Sequence, residues 1–139
     1  MAQVDAFRDL VVARAGGACE YCRLLQAASG VTFHLEHIVP RSQGGVTQMS
    51  NLALSCPGCN LAKAERTTGR DDDGQIQPLY KPRDFDSPLG WHLHFALDHE
   101  TGIITARTAI GQATVRSLRM NAPIRIFARK LQIGAGLIG

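Results

Sequence analysis

The residues best suited to chemistry are crowded between positions 19 and 63. The four cysteines stand as two Cys-x-x-Cys pairs, Cys19/Cys22 and Cys56/Cys59. His34, Glu36, His37 and Asn51 lie between the pairs, and Asn60 directly follows the last cysteine. Four thiolates from two such knuckles are the donor set of a closed, tetrahedral, structural zinc site. A disulfide pair or a redox motif would use the same residues, but two knuckles together argue against redox chemistry. The bracketed residues fit metal-assisted hydrolysis of a phosphodiester. That reaction needs an activated water, a cation on the phosphoryl and leaving oxygens, and correct positioning. His37 suits the first task, because an imidazole titrates near neutrality and can take a proton without binding the metal. Glu36 and Asn60 offer the hard oxygen atoms that an ion such as Mg²⁺ takes.

Other side chains can join them. His34 shares a strand face with Glu36, where it is either a third ligand or a histidine packed and hydrogen-bonded beside the site. Lys63 lies three residues after Asn60 on one helix face. Lys63, Arg41 and Arg66 can each meet a phosphate or stand as exposed surface cations.

The elements that must position these residues follow from periodicity. Val4, Phe7, Leu10, Val11 and Ala15 predict a helix stopped by Gly16-Gly17. Alternation over 32–38 predicts a strand ended by Pro40. A polar loop follows over 41–50, then a short extended or turn segment over 51–55 and a helix from Cys59 to about Thr67. Thr68 to Pro88 reads as a long connection, with Asp71-Asp72-Asp73 a solvated loop rather than a metal site. Trp91 to Leu97 alternates and predicts a strand with Trp91, Leu93, Phe95 and Leu97 on its core face. His92 and His94 are read as structural or surface residues, and His99 as exposed. Glu100-Thr101-Gly102 turns the chain into a partner strand at 103–107. A helix over 109–120 takes Thr108 as its cap. A second helix, capped by Asn121 with Pro123 in its first turn, is expected to bury Ile124, Phe127 and Leu131. The end from Gly134 to Gly139 is expected to fray.

Length and composition set the frame. The 139 residues suit a single domain, and 45% hydrophobic residues with 19% charged are ordinary for a globular protein. No apolar run approaches a membrane span, and the N-terminus lacks the regions of a signal peptide. A cytoplasmic location with no membrane partner is expected, where paired cysteines are more often metal ligands than disulfides. The net charge of +3 is uneven: the six cations from Arg107 onward have no acid among them, and residues 1–106 carry −3 from twelve acids and nine cations. Such a basic end suggests a polyanion partner or a solvated helix face.

The string Glu-His-Ile-x-Pro, Gly-Gly, Asn-Leu, Cys-x-x-Cys-Asn-x-x-Lys resembles the HNH endonuclease family and its ββα-metal fold. The likeness is strong over 19–67. It is weaker over 79–127, where Tyr80-Lys81-Pro82-Arg83, Trp91, His94-Phe95, Gly102, Thr108 and Gly111 resemble a subgroup of small bacterial HNH proteins. It says little of 1–15 or 130–139. The resemblance implies that His37 is the general base and that Glu36, where aspartate is commoner, is a ligand of the catalytic metal. It implies that Asn51 holds the loop that orients His37. It makes Asn60, at a position often occupied by histidine, a second ligand. The chain is thus an H-N-N variant, and an amide oxygen favours Mg²⁺ or Mn²⁺ over softer ions. The chemistry implied leaves 5′-phosphate and 3′-hydroxyl ends.

The fold expected is α+β over one domain, 1–139. A ββα core at 17–68 would be braced by zinc on Cys19, Cys22, Cys56 and Cys59. An N-terminal helix would precede it, and an extension at 79–133 would hold a β-hairpin and helices. The function expected is hydrolysis of DNA, most readily double-stranded, with a dimer or larger complex possible. A non-catalytic zinc module for nucleic acid and a subunit working only inside a complex are the rival readings.

Overall fold

The structure, a computed structural model, describes residues 6–83 and 89–139. At its centre β1 (His34–His37) pairs antiparallel with β2 (Leu52–Ser55), His34 opposite Ser55 and His37 opposite Leu52. Helix α3 (Pro57–Lys63) follows. This is the expected order of strand, loop, strand and helix. The fold as a whole is α+β and consistent with an HNH-type fold.

Local chemistry sets the boundaries. Pro40 ends β1 and opens a 3-10 turn at Arg41–Gln43, closed by Gly44 in the left-handed region. The next residue must also be glycine, since a Cβ at Gly45 would lie 1.7 Å from the Val39 carbonyl oxygen. A second 3-10 turn, Met49–Asn51, leads into β2, whose four residues are all buried. Helix α3 starts with Cys56 as its cap and Pro57 in its first turn. It ends at Lys63, short of the expected Thr67, because Ala64 leaves helical geometry at φ 50°.

Helix α1 (Arg8–Ala15) ends as expected at a left-handed Gly16 and packs on β2 through Val11. The expected start at Val4 lies outside the described residues. A short helix α2 (Gln26–Ser29) follows the first knuckle.

The remainder departs from expectation in three places. The connection after Thr68 contains a hairpin, β3 (Thr68–Arg70) and β4 (Ile76–Pro78). Its turn is built by Asp71, which is buried rather than solvated. The Asp71 carboxylate accepts from the backbone of Asp73 and Gln75, both at 2.9 Å, and from Gln77 Nε2 at 3.0 Å. Three-residue strands are too short for alternation to reveal. The far end of the expected connection, beyond 83, lies outside the described residues.

The expected strand at 91–97 is instead helix α4 (Leu89–His94) running into β5 (Phe95–Leu97), which pairs with β6 (Ile104–Ala106). Trp91 and Phe95, four apart, share a face in either geometry, so both are core residues as expected. Leu93 separates the two: a strand would bury it, and it is 52% exposed. His92 and His99 are exposed, while His94 is half-buried and shares a 2.6 Å hydrogen bond with Thr108.

Helix α5 (Ala109–Ser117) has the expected cap, Thr108 accepting from the Gly111 N–H at 3.0 Å. Helix α6 (Pro123–Gly134) does not: its cap position is Ala122. Asn121 instead bonds the Ile104 backbone, accepting from its N–H at 2.9 Å and donating to its carbonyl at 2.7 Å. The face of α6 is also reversed. Ile124, Phe127 and Leu131 are 78, 62 and 58% exposed, and Arg125, Arg129 and Gln132 are buried. At its end the Gly136 and Leu137 N–H groups bond back to the Ile133 and Gln132 carbonyls.

One buried cluster runs from Val11 through Phe33, Leu54, Tyr80, Phe95 and Leu118 to Met120. No described helix is long and apolar enough to cross a membrane. The reversed face of α6 can be checked by chemical unfolding. Phe127→Ser is expected to change stability by no more than about 0.5 kcal/mol. A buried phenylalanine at that position would give a loss of about 3–5 kcal/mol.

Candidate functional site

Two turns build the cysteine cluster. Cys22 N–H points at Cys19 Sγ (3.5 Å) and Cys59 N–H at Cys56 Sγ (3.4 Å), so each knuckle folds around its own first sulfur. Arg23 takes a left-handed conformation to let the first knuckle turn back, and Cys19 N–H then meets the Leu24 carbonyl at 2.8 Å. Glu20 docks this knuckle on β2. Its N–H donates to the Leu54 carbonyl and its carboxylate accepts from the Leu54 N–H, both at 2.8 Å. Arg83 and Arg14 face the same carboxylate.

All four thiols are free and buried, and their sulfurs lie within 4.8 Å of one another. A tetrahedral zinc with Zn–S near 2.3 Å needs sulfurs about 3.8 Å apart, so the donor set fits that ion in number, chemistry and spacing. Burial pushes the Cys19 thiol well above its usual value, while hydrogen bonds from the neighbouring cysteines hold Cys22 below its own. Four buried cysteines this close suggest a zinc site.

Glu36 is buried beneath this frame. The Tyr21 hydroxyl donates to Glu36 Oε1, and Lys63 Nζ stands 3.7 Å from the same oxygen. Glu36 Oε2 has no hydrogen-bond partner. Burial lifts this carboxyl to about 7, while Lys63 and the Tyr21 hydroxyl pull the other way. Lys63 is 2% exposed and also donates to the Ile38 carbonyl at 3.3 Å. It therefore occupies neither expected position, phosphate contact or open surface, because the buried carboxylate holds its ammonium inside.

His37, the next residue along β1, is half-buried, and its Nε2 shares a 2.8 Å hydrogen bond with Thr47 Oγ1. Desolvation, aided by Arg41, lowers its pKa. The imidazole is therefore mostly neutral at pH 7 and free to accept a proton. Asn51 closes the intervening loop. Its Oδ1 accepts from the Val39 N–H at 2.9 Å, and its Nδ2 donates to the carbonyls of Val39 (3.1 Å) and Val46 (2.9 Å). Ser42 and Gln43 fasten the same loop to Glu65.

Asn60 is partly exposed on α3, one turn before Lys63. His34 sits exposed at the start of β1, opposite Ser55. Arg41 is exposed. Arg66 is exposed too, but it donates to the Ala62 carbonyl and, at 2.8 Å, to that of Ser117. Among the described residues the cysteines are the one group of three or more His, Cys, Asp or Glu donors brought together; His34, Glu36 and His37 form no second group of that kind.

Tyr21, Glu20 and Thr47 escaped the sequence reading. Tyr21 and Glu20 lie between the paired cysteines, a position that places them against the metal frame, and that was the available signal. Thr47 had none.

The family model described as HNH endonuclease matches residues 19–66, from the first cysteine to just past α3. That segment is similar to the HNH endonuclease family, whose members have activity of the nuclease type in general. No curated protein and no solved structure matches the chain.

Two measurements check the site. Lys63→Met is expected to cost about 1–3 kcal/mol and to push the Glu36 carboxyl above 7, because the ammonium that favours its charged form is gone; Glu36→Gln in the same chain should recover most of the loss. In NMR titration of metal-free protein, the His37 imidazole is expected to titrate below 6.5, and Arg41→Ala should move it back up. Its cationic form is disfavoured in the fold, so this residue costs stability only as pH falls below 6.5.

Proposed function

We propose that the chain is a metal-dependent endonuclease that hydrolyses DNA phosphodiester bonds. The observation that carries this reading is the pair on β1: a neutral, half-buried His37 beside a buried Glu36 with one oxygen left without a partner. A purely structural strand has little use for a costly unpaired carboxylate oxygen. In this reading His37 is the general base that takes the proton of the attacking water, and Thr47 fixes the imidazole by holding Nε2. Glu36 and Asn60 hold Mg²⁺ or Mn²⁺, with His34 able to join from the exposed end of β1. The ion supplies stabilisation of charge on the phosphoryl and leaving oxygens. Lys63 and Tyr21 aim the Glu36 carboxylate. Asn51 keeps the loop from Val39 to Val46 in the shape that presents His37.

Among the cations first considered for the nucleic acid, Arg41 is the one that stands exposed beside His37. Arg66 has a structural task at the end of α3, though its exposure leaves an edge for a phosphate. Zinc on the four cysteines takes no part in the hydrolysis, and the residues following 66 share one core with the HNH segment.

One observation favours a second reading, a nuclease subunit that works within a complex: the exposed row Ile124, Phe127 and Leu131 along α6.

Supercoiled plasmid incubated with the protein and Mg²⁺ or Mn²⁺ tests the first reading. Nicking that disappears with EDTA, and that falls at least about a hundredfold in folded His37→Ala, is the expected result. Zinc-loaded protein that binds the plasmid in a salt-dependent way without nicking it would instead make it a binding module.

A further inference from the structure

We propose that Arg125 and Arg129 of helix α6 are the counter-ions of the cysteine metal centre, so that metal loading depends on a helix far outside the matched segment. This inference rests on the zinc reading of the four cysteines and is independent of the nuclease reading.

Four thiolates around one Zn²⁺ carry a net charge of −2. All four cysteines are buried, and a buried net charge is costly unless something pairs with it. Helix α6 brings two guanidinium groups to that place. Arg125 Nη1 donates to Cys59 Sγ at 3.0 Å, and its Nη2 donates to the Leu118 carbonyl. Arg129 is fully buried one turn further on. Its Nε donates to the Gly102 carbonyl (2.7 Å), and its Nη2 donates to the Met120 carbonyl (2.7 Å) and Asn121 Oδ1 (3.1 Å). Its Nη1 makes no hydrogen bond. Burial works against the Arg129 charge, and the attraction of Cys22 works for it. Among the described residues, neither arginine is ion-paired with a carboxylate. Their charges therefore face sulfur, main-chain carbonyls and the Asn121 side chain, and they repel each other.

The surroundings make room for this contact. Gly58, inside the second knuckle, lies where a Cβ would stand 3.0 Å from Arg125 Nε and 3.1 Å from its Cζ. Gly102, left-handed at φ +78°, lies where a Cβ would stand 2.7 Å from the Ile126 carbonyl oxygen. One turn beyond Arg129, Gln132 Oε1 accepts from the Leu25 N–H at 2.9 Å, just past the first knuckle. The positions 125, 129 and 132 form one helix face; Arg125 and Gln132 reach the knuckles or the chain beside them, and Arg129 is buried between the two. That polar face turns inward, which is why Ile124, Phe127 and Leu131 are left outside.

The test uses the full chain loaded with zinc, titrated with a chromophoric chelator, in wild type, Arg125→Gln, Arg125→Lys, Arg129→Gln and Gly58→Ala. Arg116→Gln on α5, an exposed arginine facing Asp72, is the control. Wild type and Arg116→Gln are expected to hold one zinc with equal strength. The two Gln variants should release it about ten- to a hundredfold more readily, and Arg125→Lys should fall between them and wild type. Gly58→Ala alters no ligand and no charge, yet by crowding the guanidinium it should also loosen the zinc. It keeps the proposal testable should a Gln variant fail to fold. In Co²⁺-loaded protein, the thiolate-to-metal charge-transfer band of Arg125→Gln should move to lower energy, because a hydrogen bond to sulfur is gone. Zinc held as tightly by the folded Gln and Gly58→Ala variants as by wild type, with only the melting temperature lowered, would overturn the proposal: the arginines would then merely cap carbonyls. Wild type that binds no zinc would sink the zinc reading and this inference together.

Discussion

Four buried sulfurs within 4.8 Å of one another are the constraint on which the rest of this molecule depends. Thiolates so close repel one another, and without a cation they cannot all be ionised in the interior. With one, they join chain segments far apart in sequence. The first knuckle is tied to β2 through Glu20 and Leu54. The second knuckle is itself the cap of α3. The same bond set therefore fixes the strand pair, the start of the helix and the angle between them. A modest core gains stability from such a staple. On the far side, α6 turns Arg125 and Arg129 inward instead of apolar side chains, and Arg125 meets Cys59 Sγ there.

The candidate hydrolytic residues hang from this frame by short connections. Tyr21 lies between Cys19 and Cys22 and bonds Glu36; Lys63 lies one turn beyond Cys59 and faces the same carboxylate. A displacement of either knuckle would thus be felt at Glu36. His37 points elsewhere, toward the loop that Asn51 and Thr47 organise. Neighbouring residues on one strand project to opposite faces, so the proposed acid–base group and the proposed ligand are tuned separately. Burial and Lys63 govern Glu36, while partial desolvation and Arg41 govern His37.

Much of this was legible in the sequence because it was encoded in spacing. The paired cysteines, the Pro40 stop, the glycine pair after it and the Thr108 cap each announce a local geometry. What was not legible depends on partners distant in the chain. Trp91 and Phe95 satisfy both periods, so alternation could not separate a helix from a strand; the exposure of Leu93 does. Asp71 reads as one of three solvated acids until the hairpin supplies three donors to its carboxylate. Ile124, Phe127 and Leu131 form a proper apolar stripe, and the ordinary rule would bury it. The rule fails because Arg125 and Arg129 find a sulfur and a set of carbonyls inside. Lys63 was read as a surface or phosphate cation for a similar reason: its partner, Glu36, lies on another element.

The central claim is that a single metal ion held by sulfur alone organises the chain. X-ray absorption at the zinc edge of purified, full-length protein tests it most directly. One zinc per chain with four sulfur neighbours at about 2.3 Å is the result predicted. Nitrogen or oxygen in the first shell, or a folded chain that carries no metal, would contradict it.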